Sequence, residues 1–480
     1  MENLIVLVNP RSISGIGDST LPLGLIMTVV NLYQKFRIVI IDQRVEKDWE
    51  AHLLSLLKEN PVCVGVTALT GRQIKWGLRV SKIAKDHGYR VVWGGIHASL
   101  TPSQTVQHPL IDYVVAGEGE DSFAELVNAL ASGVTTKNIP GVWSKEHGFG
   151  GERPLVDLNK LPPTPYHLID LRRYIKSGPY GKTMMLCTSR GCPQRCTFCY
   201  NLSINHSRWR GFLPAKVLNE IKYILKQHPD IRHFEFWDDN FFANAYRARE
   251  IVEGIKELNV TWLVIGTHIK EIYNMDDDYL ASLRNSGLKE ICMSPESGSQ
   301  KIIDFIKKNY VIEELLTVNK RLGKYNIRPI YSYMSGFPGE SDVDVKDTLN
   351  LMFKLKKDNP NIVIGTFKPV ICYPGTPLFT NALELGFKPP EKLEGWSNFY
   401  WGNYNNLKIP WVSPGRKRML TWIYYYTLLI NPDYVFIHSK LFTFVASLLC
   451  PVAKWRLRRF YFRFPVEAWI VNIISRIVTG

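Results

Sequence analysis

Cysteine is scarce in this chain, eight in 480 residues, and the eight form no regular disulfide framework. That excludes the disulfide-stapled secreted class and points to a reducing cytosol. The opening residues, Met1-Glu-Asn-Leu-Ile-Val-Leu-Val, lack the basic stretch of a secretory leader and read as a first β-strand. No apolar run of bilayer length is unbroken. Tyr434–Ala453 comes nearest, but His438 and Lys440 interrupt it and Pro451 breaks its end. Carboxylates are fewer than cations, 44 against 59, and the deficit is local. From Gly415 onward ten Lys and Arg meet only Asp433 and Glu467, so the tail holds +8 of the net +15. Such charge suits nucleic acid, anionic lipid or an anionic substrate, and by itself selects none of them.

Three cysteines stand apart. Cys192-Pro-Gln-Arg-Cys196-Thr-Phe198-Cys199 has the spacing C-x3-C-x2-C and follows an apolar segment, Thr183–Cys187, that reads as a buried strand. Thiolates suit zinc, copper(I) or iron–sulfur clusters, and a closed structural site takes four protein ligands. A fourth is missing at close range, since the next histidine is His206 and the next cysteine Cys292. Three thiolates on a four-iron cube leave one iron open to a substrate or cofactor; a zinc knuckle is the competing reading. Cys63, Cys187, Cys292, Cys372 and Cys450 are isolated and read as packing residues, with Cys187 and Cys292 the two that barrel strands could turn inward.

Apolar content of 45% and length allow two or three domains with their own cores. Strand-like runs at Leu4–Val8, Ile38–Ile41, Val62–Val66, Val91–Trp93 and Tyr113–Ala116 alternate with helical stretches at Leu21–Phe36, Trp49–Lys58, Gln73–His87, Ser103–His108 and Glu120–Ala131. This alternation implies an α/β, doubly wound parallel sheet over residues 1–140, with ligands outside the strand C-termini. A Pro-rich linker, 141–175, includes Leu161-Pro-Pro-Thr-Pro165 and a short hairpin at Val142-Trp143.

Six further strands are expected over 176–390, at Thr183–Cys187, His233–Trp237, Thr261–Ile265, Glu290–Ser294, Ile330–Met334 and Ile364–Val370. Helices separate most of them, which implies a partial (β/α)6 barrel with chemistry at the strand C-termini. Those ends carry Asp238-Asp239-Asn240, Pro295-Glu296-Ser297-Gly298, Gly336-Phe-Pro-Gly-Glu340 and Tyr373-Pro-Gly-Thr-Pro377. Carboxylates and Gly-rich turns gathered at one end suit a ligand carrying an ammonium and a ribose. Residues 391–480 read as a helical C-terminal region. Its aromatic start, Glu391–Tyr404, suits a lid over a substrate cavity. The basic, aromatic helices beyond suit a membrane surface or the protein's own core.

The cysteine spacing, with Phe198 before the last thiol, resembles the signature of radical S-adenosylmethionine (SAM) enzymes. Leu21-Pro-Leu-Gly-Leu25, Gly94-Gly-Ile-His97 and Tyr113-Val-Val-Ala-Gly-Glu-Gly-Glu120 resemble the Rossmann-like cobalamin-binding domain that precedes many such barrels. The resemblance covers residues 1–400 and implies three groups: a [4Fe–4S] cluster on Cys192, Cys196 and Cys199, SAM on its open iron, and cobalamin. It implies SAM contacts from Phe198, Asp238, Asp239, Glu296, Ser297 and Tyr373. For cobalamin the implied contacts are Leu23, Gly24, Thr67, Thr70, Arg72, Gln73, Gly94, Gly95, His97, Gly117 and Glu118, with His97 at the nucleotide tail or capping its turn. The loop Asn9–Asp18 lacks the histidine of the Asp-x-His-x-x-Gly motif, so the cobalt is expected without that ligand.

What the resemblance implies is a C-methylase. Its 5′-deoxyadenosyl radical takes hydrogen from an unactivated carbon, and methylcobalamin supplies the methyl group. An oxidative cyclase or ring-rearranging enzyme is the alternative with the same cofactors, and a cobalamin sensor with a degenerate barrel the alternative of another class. A tRNA methylthiolase would bring extra N-terminal cysteines that Cys63 alone does not supply. The expected partners are a small-molecule or lipid-like substrate, a flavodoxin- or ferredoxin-type reductant, and a membrane surface met by the tail, with no nucleic acid. The expected location is the cytoplasm, peripheral on the inner face of the membrane.

Overall fold

Every side chain of Leu4–Asn9 is buried, the pattern of a strand covered on both faces. In the computed structural model, which describes residues 3–12, 20–399, 409–430 and 440–479, this is β1 of a seven-stranded sheet. The others are β2 (Arg37–Asp42), β3 (Cys63–Thr67), β4 (Val91–Gly94), β5 (Tyr113–Val115), β6 (Val142–Ser144) and β7 (Gly148–Phe149). Their order is β2-β1-β3-β4-β5-β6-β7, parallel through β5 and antiparallel beyond. The order reverses between β1 and β3, which opens a crevice at their C-terminal ends. Ile5, Leu7, Val29, Leu32, Cys63 and Phe123 belong to the core beneath.

A short antiparallel pair, β10 (Ser189–Arg190) with β11 (Arg210–Gly211), follows β8 (Lys176–Gly178) and β9 (Gly181–Leu186). Next come β12 (Ile231–Trp237), β13 (Thr261–Thr267), β14 (Leu288–Glu296), β15 (Arg328–Ser335) and β16 (Val363–Pro369). The second sheet runs β16-β15-β14-β13-β12-β9-β8; the six strands β9 and β12 to β16 are parallel, and only β8 is reversed. Consecutive strands lie side by side and, among the described residues, the end strands do not pair, so this sheet is a curled partial barrel. All six expected strands are present.

The described residues fall into two compact units. One is Met1–Ile175 with Ser203–His206 and Pro389–Tyr400; the other is Lys176–Leu202, Ser207–Lys388 and Trp401–Gly480. Two expectations change here. The 141–175 linker is no free connection, because β6 and β7 extend the first sheet and Tyr174 donates to Asp42 Oδ2 at 3.1 Å. The aromatic segment after Glu391 is no lid as far as it is described. Trp396 is buried, donates to Gln104 Oε1 at 2.7 Å and packs against the His97 and Phe399 rings, so the segment belongs to the first unit's core. Residues 400–404 of that expectation lie outside the described residues.

Smaller corrections have local causes. Leu21–Phe36 is helical only over Leu23–Thr28, where β-branched Val29 and Val30 then Asn31 follow and turns take over. Gly94–Thr101, read as a loop, holds a short helix, Gly95–Leu100. Pro451 does not break its helix. Lys440–Arg459 runs through it, held by buried Ala446, Cys450, Ala453 and Leu457. The part of the Tyr434–Ala453 run before Lys440 lies outside the described residues. Helices Pro414–Leu429 and Val466–Thr479 complete the C-terminal region, and among the described residues no helix is long and apolar enough to cross a membrane.

Buried neutral histidines give the fold a pH dependence. Burial holds His97 down to about 3, and His233 and His268 to about 4. A base with a lowered folded pKa binds its proton better unfolded. The stability it contributes is complete above the unfolded value of 6.5 and lost as pH falls toward 4. The denaturation midpoint is therefore expected to drop between pH 7 and pH 5, and His97→Gln to flatten that slope; an unchanged slope in the variant would refute the assignment.

Candidate active site

The cysteine loop leaves β9 and is clamped at its root. Asp238, buried at the end of β12, accepts from Thr188 N, Thr188 Oγ1 and Ser189 Oγ, each at 2.6 Å. Asp239 accepts from Gly191 N at 2.7 Å. Arg247 donates to Phe212 O at 2.7 Å and to Thr188 O. The pairing of β10 with β11 closes the neck. Inside the loop Thr197 is strapped on both sides: its N–H donates to Ile306 O and its carbonyl accepts from Leu378 N, both at 3.0 Å. Cys199 N donates to Cys196 O at 3.1 Å.

Burial raises all three thiols, Cys192 to about 11 and Cys199 to about 12. Uncomplexed, they are neutral at pH 7, so loading iron onto them must release protons. Among the described residues no three His, Cys, Asp or Glu groups are arranged to hold a single metal ion. The fit to an iron–sulfur cluster rests on the donor set and its neighbours. Asn240 Nδ2 donates to Cys192 Sγ at 3.6 Å, the kind of bond that tunes a cluster. The same amide donates to Glu271 Oε1 at 2.7 Å, and burial raises that carboxyl to about 7. Glu271 also accepts from His268 N at 3.3 Å in a capping box.

Asn240 was invisible as a donor in the sequence, where it read only as part of a polar strand end. Asn240→Leu removes the bond to sulfur and leaves Glu271 without its amide. The cluster's midpoint potential is expected to fall and SAM cleavage to slow about 10–100-fold, with iron retained. A redox titration followed by electron paramagnetic resonance measures it, and an unmoved potential overturns the assignment.

On the far side Glu296 ends β14 with φ +69°, in the left-handed region that strains a non-glycine residue. It is buried against Lys308 Nζ at 2.8 Å, and Lys308 lies 5.6 Å from the Phe198 ring centre. Burial raises the Glu296 carboxyl against the pull of Lys308. Burial also opposes the Lys308 ammonium, but the Glu296 carboxylate outweighs it and the lysine pKa rises. Tyr373 meets Tyr200 edge-on at 6.1 Å. After β15, Glu340 accepts from Ser335 Oγ (2.7 Å) and Gly336 N (2.8 Å), while Trp411 donates to Gly336 O at 2.9 Å.

Phe198, Asp239, Glu296 and Tyr373 thus gather about the loop. Asp238 and Ser297, also expected as SAM contacts, are hydrogen-bonded within the protein. Asp238 spends its carboxylate on the loop root. Ser297, fully buried, bonds Thr348 Oγ1 at 3.1 Å and accepts from Ser299 N at 3.1 Å. Both position their neighbours. Cys187 and Cys292 are half-buried; Cys187 lies one residue past β9 and donates to Ser189 O at 3.1 Å, and Cys292 is on β14, on the opposite face from buried Ile291.

In the first unit the expected residues from Thr67 to Glu118 gather at the C-terminal ends of β3 to β5, and Leu23 and Gly24 begin the helix after β1. Gly95 has φ +87°, and a Cβ there would lie 2.5 Å from Thr67 Oγ1, so only glycine fits. Gly117, φ +80°, has nothing within 4 Å of a Cβ position, nor does Gly24, which leaves open space for a ligand's approach. Thr28, on the helix that Leu23 and Gly24 begin, lies 3.0 Å from a Cβ at Gly119, so that helix sits beside the β5 loop. Arg72 begins the helix Arg72–Asp86.

Three expected contacts are spent within the protein. His97 is fully buried, with Nδ1 bonded to Thr70 Oγ1 (3.0 Å) and Nε2 to Thr101 Oγ1 (3.3 Å), the placement of a residue that caps its turn. Gln73 donates to Pro10 O and accepts from Leu69 N, each at 2.8 Å. Glu118 accepts from Val156 N at 2.8 Å. The Cβ-free cradle with open space fits a bulky cofactor met through backbone.

Comparison with known proteins bears on both units. Residues 186–352 match the model of the radical SAM superfamily and residues 17–127 that of the B12-binding domain. An uncharacterized methyltransferase of Pyrococcus horikoshii is 32% identical over 394 residues, covering 79% of this chain and 83% of the relative. An anaerobic magnesium-protoporphyrin IX monomethyl ester cyclase of Rubrivivax gelatinosus is 28% identical over 319 residues, 63% of this chain and 55% of that one. The structure of OxsB, a cobalamin-dependent S-adenosylmethionine radical enzyme with aqua-cobalamin and S-adenosylmethionine bound, shares the fold. Its TM-score is 0.74 at 14% identity, covering 99% of this chain and 75% of OxsB.

Proposed function

This chain belongs to the cobalamin-dependent radical SAM enzymes, and from that premise we propose that it methylates an unactivated carbon of a small organic, apolar or lipid-like substrate. What carries the reading is the setting of the triad: three buried thiols on one loop, clamped at its root by Asp238 and Asp239, with an amide donor on Cys192. Cys192, Cys196 and Cys199 hold the cluster. When bound, the cluster, SAM and cobalamin supply one-electron reduction, hydrogen abstraction and a transferable methyl group. Glu296 and Phe198, beside the loop, with Asp239 and Tyr373, bind and orient SAM. Backbone at Thr67–Gln73, Gly94–Gly95 and Gly117–Glu118 receives cobalamin beside Leu23 and Gly24.

The cobalt would lack the histidine of the Asp-x-His-x-x-Gly motif. Two features support this: Asn9–Asp18 contains none, and His97, the one histidine in the strand-end loops, has both nitrogens engaged. A flavodoxin- or ferredoxin-type donor provides the electron, in the cytoplasm.

Methylation is favoured over oxidative cyclisation by the methyltransferase relative, which the chain covers to 83% against 55% of the cyclase. The test is anaerobic purification with iron and cobalamin quantified, then incubation with methyl-labelled SAM, a reductant and cell extract. Label on an organic product, with S-adenosylhomocysteine and 5′-deoxyadenosine both formed, supports a methylase. 5′-Deoxyadenosine with no transferred label makes it a cyclase or rearranging enzyme. No SAM cleavage sinks both.

A further inference from the structure

The outer faces of two C-terminal helices are apolar where they meet solvent. On Lys440–Arg459, Phe444, Leu448, Val452 and Trp455 recur at one-face helical spacing, with Phe444 62% and Leu448 63% exposed. The helix's other face is buried, so it is apolar on both sides. On Val466–Thr479, Val466, Trp469, Ile470 and Ile473 form a second exposed stripe, and exposed Tyr461 and Phe464 lie in the connection.

The exposed charge of this stretch has one sign. Lys454, Arg458, Arg459 and Arg463 are exposed. The one carboxylate between residues 443 and 473, Glu467, is turned inward, ion-paired with Arg456 Nε at 3.0 Å and accepting from Tyr426 at 3.1 Å. The arrangement is preformed. Arg456 donates to Arg463 O at 2.9 Å and Phe464 O at 3.0 Å, Trp455 packs on Tyr461, and Trp469 packs on Trp422.

We propose that this face docks on the surface of an anionic lipid bilayer. Exposed apolar patches of this extent mark interaction sites. Trp and Tyr beside a cationic rim suit the headgroup boundary, where the rings are half in hydrocarbon and the cations meet lipid phosphate. A second copy is a poorer occupant. A two-fold contact would set Lys454, Arg458, Arg459 and Arg463 near their own images with no exposed carboxylate of the stretch to offset them. The surface lies apart from the cysteine loop in sequence, and its occupancy is read without turnover, so it stands or falls separately from the methylase assignment.

The test is flotation of the full-length holoprotein with vesicles of phosphatidylcholine alone or mixed with phosphatidylglycerol. The protein is expected to float with the mixed vesicles and to be released by raised salt. Arg458→Gln with Arg459→Gln should weaken that partitioning about 30-fold. Trp455→Ser with Trp469→Ser should weaken it as well, both variants keeping wild-type iron content and melting temperature. Flotation with neither vesicle overturns the proposal, as does salt-insensitive binding untouched by either double variant. A dimer that the tryptophan variant makes monomeric, with no vesicle binding, also overturns it.

Discussion

Cys196→Ala is expected to give a folded chain that holds no intact cluster and no longer cleaves SAM. Cys196 is buried, but its loop is held by backbone and carboxylate bonds that the substitution leaves in place: Thr197 to Ile306 and Leu378, and Thr188 to Gly191 on Asp238 and Asp239. Removing one sulfur from a buried site costs on the order of 1 kcal/mol of stability, far below what unfolds a domain. The chemical loss is of another size. Without its third thiolate the cluster cannot be retained, and SAM cleavage falls to background, about 1000-fold or more. Cys192→Ala and Cys199→Ala should match it, since the three act as one ligand set and their losses do not add. Iron per chain, the paramagnetic resonance of the reduced cluster and 5′-deoxyadenosine formation read the effect. Cys187→Ala, one residue past β9, and Cys292→Ala, on β14, both outside the triad, should keep iron and cleavage. Loss of the cluster in either would put the ligand assignment in the wrong place.

How far the sequence could be read follows from what each residue answers to. The strands were legible because burial on both faces writes a continuous Val, Ile and Leu run into β1, and β9 and β12 to β16 alternate with helices of clear period. The cysteine triad was legible because metal ligands carry their own spacing. Partners of a buried polar group are not written in order along the chain. Asp238 lies fifty positions from Thr188, and Asn240 nearly as far from Cys192, so the carboxylate read as a ligand contact and the amide as nothing. Trp396 read as lid because aromatic density says only that apolar surface will be covered, and the cover proved to be Gln104, His97 and Phe399. Gly94-Gly95 read as a loop because a Gly pair breaks local propensity, whereas here its positive φ turns the strand into a helix.

The buried pair beside the loop supplies the second large effect. Lys308→Met removes the cation 2.8 Å from Glu296 and strands a carboxylate that is 4% exposed. Breaking one partner of such a pair costs about 3–5 kcal/mol, because the remaining charge keeps its desolvation penalty and loses its compensation. Burial lowers the Lys368 pKa, but the same carboxylate pulls it back toward charge, so Lys368 limits the loss to the lower part of that range.

The sign with pH is fixed. Burial already raises the Glu296 carboxyl above its usual 4.5, and without Lys308 it rises further. An acid with a raised folded pKa binds its proton better folded, so its stability is complete below 4.5 and is lost as pH rises through the folded value. The Lys308→Met protein should therefore lose more stability at pH 8 than at pH 5. Glu296→Gln combined with Lys308→Met should recover most of it at pH 8, since a neutral amide of the same shape owes no counter-charge. Denaturation midpoints of the wild type, both single variants and the double variant at the two pH values close the cycle. A Lys308→Met loss that is equal at both, and unrelieved in the double variant, would mean that the lysine stem packs the loop and its charge does nothing for the fold.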